Sequence, residues 1–236
     1  MNVLDAELVY RYPFKRGTVS GSIKSIETAY VEPSIPVFTS TSDAATYSLE
    51  EVLELSEDEW FERGIGLSEE GTQNVVEKSL DKLRALRRSG TQHSLIALAC
   101  SVDHAIALRS KYSAEGYGAE IVHADMSDEK RDTIFRKLRS GEIDIVVQAQ
   151  TFGKLFNHNK LSVAAVFRPF RSFSRFIQFV SQVMPIIRHD EPDHPDNHGF
   201  FVSHSGLGLK DRLEEYEELQ RDDRDFWEEV LGESGQ

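Results

Sequence analysis

The sequence predicts one α/β domain, with a mainly parallel sheet covered by helices on both faces. The first observation is a set of strand-length runs that stay apolar without alternating: SLIALAC (94–100), IDIVVQAQ (143–150) and LSVAAVF (161–167). A strand that is apolar on both sides belongs to a sheet buried on both sides, and such sheets are mostly parallel. The second is that helical segments stand between the strands, long enough for the crossovers that parallel strands require. Those crossovers are expected to be right-handed.

The elements follow in order. Residues 1–46 read as an irregular, β-rich leader, in which AELVYRYPF, RGTVSGS and IKSIETAYVEP mix short alternations with turn residues. Within it, PVFTSTSDAATYS (36–48) is Ser/Thr-rich and predicts a loop. Ser48 followed by Glu51 is a capping-box pattern, so a short helix starts before EVLEL. After Leu67, Val75, Val76, Leu80, Leu83 and Leu86 recur at helical spacing, and Gly90 supplies the stop. VDHAIALRSKYSAEGYG predicts a helix ending in glycines, AEIVHA a strand, and SDEKRDTIFRKLRSGE a Ser-capped helix with a glycine end. SFSRFIQFV then predicts a helix and GFFVSH a strand. The domain so defined spans 47–205. Residues 206–236 contain LKDRLEEYEELQRDDRDFWEEVL, amphipathic through Leu209, Leu213, Tyr216, Phe226, Trp227 and Val230, and are expected to pack back as a helix.

Composition narrows the function. There is no apolar run of membrane-spanning length and no basic-then-apolar leader, so the expectation is a cytoplasmic protein without a membrane partner. One cysteine, Cys100, excludes an internal disulfide and reads as a buried strand thiol. The net charge of -13 repels phosphate, so any nucleic-acid contact has to use a local basic strip.

From about Tyr47 to Trp227 the chain resembles the second RecA-like lobe of superfamily-two DEAD/DEAH-type helicases. HSLIALACSVDHA is similar to the strand, loop and helix that open that lobe. IVHADMSDEKRDTIFRKLRSGEIDIVV is similar to the strand and capped helix leading into motif V. NHNKLSVAAVFRPFRSFSRFIQFVSQV is similar to the segment joining motif V to motif VI. The resemblance implies an ATP-dependent DNA or RNA helicase, with ATP held between two lobes. The first lobe would bring the phosphate loop and the acidic metal box. The second would bring motif VI, Q-x-x-G-R-x-x-R, whose arginines offset charge on the γ-phosphate.

Three departures follow. No G-x-x-x-x-G-K-[ST] phosphate loop and no Asp-Glu-x-His box occurs in the 236 residues, and the chain is expected to start too late to hold a first lobe. Motif V, roughly Gly-Glu-Gly-Phe-Asp in the family, reads Gly153-Lys154-Leu155-Phe156-Asn157. In FIQFVSQVMPIIR, Gln178 keeps the first motif VI position, Ser181 and Gln182 replace Gly-Arg, and Pro185 replaces the second arginine. Glutamine cannot neutralise a phosphate charge, and proline bends or ends the helix. Arg188 follows three residues later and compensates only if the kink swings it inward. The family positions Lys154, Leu155, Asn157, Gln182 and Pro185 are therefore degenerate, which leaves Gly153, Gln178 and Arg188 as the nucleotide-facing candidates.

Other residues admit a sharp and a plain reading. Lys154 is a new phosphate contact or a solvated loop lysine. Arg168, Arg171 and Arg175 interleave with Phe167, Phe170 and Phe173, which suits nucleic acid through phosphate contacts and stacking, or else a packed helix entry with surface charges. Ser101 and Thr151 sit at strand ends, where open sheets place ligand loops, and Ser101 equally reads as a helix cap. His104 reads as structural. The run RHDEPDHPDNHGFFVSH holds His189, His194, His198 and His204, but its spacing matches no closed zinc pattern and no metal site is expected. Two functions are carried forward. One is a helicase-like second lobe that does not hydrolyse ATP alone: a degenerate product, or a lobe acting with a separately encoded first lobe that supplies the ATP and Mg site. That form keeps DNA or RNA contacts through Ser101, Thr151, Arg168, Arg171 and Arg175. The other is a protein-interaction module reusing the fold, which the acidic surface favours.

Overall fold

The structure is a computed structural model, and it describes residues 23–31, 37–40, 42, 44–56, 59, 65–149, 158–170, 172–191, 193–207 and 209. Its main sheet has six strands: β1 (Ser25–Val31), β5 (Ser94–Ala99), β6 (Ala119–His123), β7 (Ile145–Ala149), β8 (Leu161–Val166) and β9 (His198–His204). Their order is β1-β9-β8-β5-β7-β6, and every pairing is parallel. The three apolar runs take the central places. Every residue of β5, β7 and β8 is buried, as sandwiching between helix layers requires.

Helices cover both faces. α2 (Glu69–Arg87) and α3 (Val102–Ala114) share one face, where Ser79 and the buried Tyr112 hydroxyl meet at 3.0 Å. α5 (Phe173–Val180) lies on the other face. Adjacent residues of β9 demonstrate this, since strand side chains alternate between faces. Lys82 of α2 stands over the Phe200 ring at 4.2 Å, while Phe201 meets Phe176 of α5 edge-on at 5.5 Å. α4 (Asp128–Ser140) connects β6 to β7 and buries Ile134 and Leu138.

Helix ends are set locally, where the sequence puts them. Ser48, Ser68, Ser101, Ser127 and Ser172 each accept a backbone N–H at an N-cap, and Ser48 with Glu51 closes the capping box of α1 (Leu49–Glu54). Gly141 takes the left-handed conformation that ends α4, at φ +77°.

One expectation is corrected. The 36–48 stretch is not a loop throughout. β2 (Phe38–Ser40) and β3 (Thr46–Tyr47) pair antiparallel, and β2 pairs on its other side with β4 (Ile65–Leu67). Phe38 is fully buried between Tyr47 and Leu67, whereas Thr39 is exposed, so period-two patterning around one aromatic outweighs the loop-like composition. Ser25–Val31, which lies in the 1–46 leader, is the edge strand of the main sheet in register with β9. Residues 1–22 and most of 206–236, including the expected C-terminal helix, lie outside the described residues. Among the described residues no helix is long and apolar enough to cross a membrane.

Candidate functional site

At the C-terminal ends of β5 and β8 the chain builds a dry, polar knot. Ser101 Oγ accepts the His104 backbone N–H at 3.1 Å and is 2% exposed, which is the cap role. The Cys100 N–H donates to His104 Nδ1 at 3.3 Å. The imidazole therefore carries its hydrogen on Nε2, an atom without a hydrogen-bond partner among the described residues. Burial lowers the His104 pKa to about 4, so the ring is neutral. It lies edge-on to Phe167 at 5.9 Å, with Gly66 of β4 so close that an added Cβ would stand 2.9 Å from Nδ1. Burial pushes the Cys100 thiol up to about 12, and Sγ donates to the Phe167 carbonyl at 3.4 Å. Such a thiol is inert.

The arginine–phenylalanine strip divides in two. Phe167 is fully buried and Phe170 nearly so, and Phe170 packs against Phe176 at 5.5 Å and Phe179 at 6.0 Å. These rings belong to the core and do not face a base. Arg168 is 2% exposed, and burial lowers its pKa to about 10. Arg175 is exposed on the first turn of α5. Arg171, Thr151, Gly153, Lys154, Leu155 and Asn157 lie outside the described residues.

The stretch with the proline has a definite geometry. α5 ends at Val180, and a 3₁₀ turn, Ser181–Val183, takes over. Gln178 is half-buried, and its carbonyl accepts the Ser181 hydroxyl at 2.9 Å. Gln182 is buried, with Nε2 turned back toward the Phe179 carbonyl at 3.5 Å. Pro185 sits past the helix and forms a β-bridge with Ile23, while the Lys24 N–H donates to the Met184 carbonyl at 2.7 Å. The proline is thus accommodated by leaving the helix before its missing N–H is needed.

Arg188 is held by the chain just before β9. Its Nε donates to Asp196 Oδ2 at 3.2 Å, and Asn197 Oδ1 accepts the Ile187 and Arg188 N–H groups, each at 3.0 Å. Asn197 Nδ2 donates to the carbonyls of Arg188 and Glu191. Burial alone would raise the Asp196 pKa. Hydrogen bonds from Ser89, Thr91, His93 and Arg188 instead hold it well below the usual carboxylate range. Sequence reasoning missed Lys24, His93, Ser162 and Asp196, which meet only in three dimensions. Their one local signal is a polar residue inside an apolar run, Ser162 in LSVAAVF. Of the histidine-rich run, His194 caps the turn before β9, and no cluster of metal-binding side chains is present among the described residues.

Residues 74–184 match the family described as "Helicase conserved C-terminal domain". They are similar to that family over just under half of the chain. The matched stretch carries β5 to β8, α3 to α5 and the Ser181–Val183 turn, and it stops one residue short of Pro185. No curated protein matches the sequence. Among solved structures, the C-terminal domain of the DEAD-box protein Dbp5 aligns at 17% identity over 59% of this chain and 78% of that chain, with a TM-score of 0.42. S. cerevisiae Dbp5 bound to RNA and ADP BeF3 aligns at 16% identity over 69% of this chain and 42% of that one, TM-score 0.45. The Pyrococcus furiosus Hef helicase domain aligns at 15% identity over 61% and 28%, TM-score 0.40. This chain thus spans less than half the length of those two longer chains.

Proposed function

We propose that this chain is a helicase C-terminal domain that does not hydrolyse ATP by itself and retains a nucleic-acid-binding surface. The observation that carries the first half is the state of the motif VI stretch. Its two arginine positions hold a buried glutamine, Gln182, and a proline bridged to Ile23. Its one arginine, Arg188, is engaged with a buried carboxylate. Arg188 donates through Nε to the buried Asp196, so its guanidinium is turned to that carboxylate, whereas γ-phosphate stabilisation needs an arginine whose charge is directed at the phosphate. Among the described residues the motif VI side chains therefore do not fit a triphosphate, and the sequence of motif V, with Lys154, Leu155 and Asn157, supports the same reading. No step through ATP is assigned to this chain, and a separately encoded lobe would have to bring the phosphate loop.

The second half rests on Arg175, an exposed cation at the α5 N-terminus, with Arg171 four positions before it in sequence. A local basic strip is what an otherwise acidic protein needs to meet a phosphate backbone. The alternative, a protein-docking module, is favoured by the net charge of -13. Fluorescence anisotropy with labelled single-stranded DNA and RNA, across a salt series, distinguishes them. The proposal expects binding that weakens with salt and is reduced by Arg175→Ala, and no saturable binding of a fluorescent ATP analogue. Salt-insensitive or absent oligonucleotide binding supports the docking module, and saturable nucleotide binding overturns the proposal.

A further inference from the structure

At the N-terminal edge of the sheet four buried polar side chains form a chain of hydrogen bonds with one consistent direction. Lys24, 1% exposed and just ahead of β1, donates through Nζ to the Leu161 carbonyl and to Ser162 Oγ, both at 2.7 Å, and to the Asn159 carbonyl at 2.5 Å. In its charged form Lys24 uses all three ammonium hydrogens, and burial lowers its pKa to about 7, so the amine gains its third hydrogen over the same pH range in which His93 is tested. Ser162 Oγ lies 2.8 Å from His93 Nδ1, and His93 Nε2 lies 3.3 Å from Asp196 Oδ1. His93, Ser162 and Asp196 are fully buried. With the ring neutral and its hydrogen on Nε2, every member is satisfied: lysine donates to serine, serine to histidine, histidine to aspartate. These residues come from the starts of β1, β5, β8 and β9, so the chain fastens the edge strand to the centre of the sheet.

A second proton does not fit. If His93 takes one, Nδ1 becomes a donor facing a serine oxygen that already accepts from Lys24. Ser162 must then turn its hydrogen to its other acceptor, the Lys160 carbonyl at 3.2 Å. Two cations then flank one buried hydroxyl, with Asp196 as the nearest counter-charge. The surrounding charges do not relieve this. Arg87 donates to the His93 carbonyl, and its own carboxylate partner is Asp144. Arg188 and His194 already crowd Asp196. Lys160, Arg139 and His158 add no negative charge near Lys24. On β1 itself Glu27 faces His198 at 3.4 Å, a partly exposed pair outside the chain.

We propose that Lys24, Ser162, His93 and Asp196 form an acid-sensitive lock, in which protonation of His93 weakens the Lys24 anchor and frees β1 from the edge of the sheet. Release is local, because β1 contacts only β9 within the sheet, whereas β5, β7 and β8 are bonded on both sides.

Hydrogen exchange of the full chain, corrected for the intrinsic pH dependence of amide exchange, tests the lock. Between about pH 7.5 and about pH 5, peptides covering 23–31 are expected to lose protection about tenfold while 145–149 stays protected. His93→Gln, which cannot take a proton, is expected to abolish that loss, and His198→Gln to leave it intact. Nitrogen-15 histidine NMR on the unmodified chain gives a readout that survives if His93→Gln does not fold. His93 is expected in its Nε2–H form at neutral pH, and its protonation midpoint should coincide with that of β1 release. An unchanged 23–31 segment at low pH, a persisting acid response in His93→Gln, or a release midpoint that follows another histidine would each overturn the lock.

Discussion

Arg188 donates through Nε to Oδ2 of Asp196 at 3.2 Å, and the carboxylate that receives it is completely buried. The pairing is unequal. Asp196 also accepts from Thr91 at 2.6 Å and from His93 at 3.3 Å, whereas the Arg188 side chain is half exposed. Arg188 is therefore one ligand of a structural carboxylate.

That inequality sets the first prediction. Asp196→Ala leaves His93 and Thr91 without their common acceptor and is expected to cost about 3 kcal/mol. Arg188→Ala removes a half-exposed partner and is expected to cost at most about 1 kcal/mol. Urea unfolding of the two variants at neutral pH measures both. Equal losses would mean that the carboxylate is not the hub.

The contact between Gly66 and His104 gives the second. An alanine methyl at Gly66 would stand 2.9 Å from His104 Nδ1, and the ring, fixed between β4 and Phe167, has little room to retreat. Gly66→Ala is expected to cost about 1–3 kcal/mol. Combined with His104→Ala it should cost clearly less than the sum of the two single changes, because the clash and the cavity fill one another. Additive unfolding energies would refute the contact.

Lys24 sets the third. Burial lowers its pKa from 10.5 to about 7, with Asp196 pulling in the opposite direction. Between those values the unfolded chain keeps a proton that the folded chain releases, so stability rises with pH across this window and levels off below it. The slope approaches about 1.4 kcal/mol per pH unit at most. Lys24→Met should remove the alkaline slope, which chemical denaturation between about pH 7 and about pH 10 resolves.

The sheet was legible in the sequence because its central strands are apolar on both sides, a pattern that depends on no partner. Ser48, Ser101, Ser127 and Gly141 were legible because capping is decided within four residues. β2, β3 and β4 were not, since two or three residues of strand carry almost no periodic signal, and only Phe38 betrays them. The relay was hidden for a different reason. His93, Ser162 and Asp196 are separated by up to 103 positions, and each alone looks like an ordinary loop or strand polar residue. Ser181, Gln182 and Pro185 are read as motif VI positions from the sequence resemblance alone. The fate of Arg188 required the coordinates, because Asp196 reads as one acid among several in a histidine-rich run.

Arg168 and Arg175 yield the fourth prediction, since seven residues separate two cations in different settings. Arg168→Ala removes a buried guanidinium and its packing stem, with an expected loss of about 3 kcal/mol. Arg175→Ala should stay within about 0.5 kcal/mol of the parent and lower oligonucleotide affinity instead. Thermal unfolding and anisotropy on the same samples separate the two effects.

Steady-state ATP hydrolysis decides whether this chain, as proposed, lacks the charge needed to promote phosphoryl transfer. The purified chain is assayed with magnesium, with and without single-stranded DNA or RNA. Phosphate release no faster than in buffer alone is expected. Turnover stimulated by nucleic acid and abolished by Gln178→Ala would contradict it.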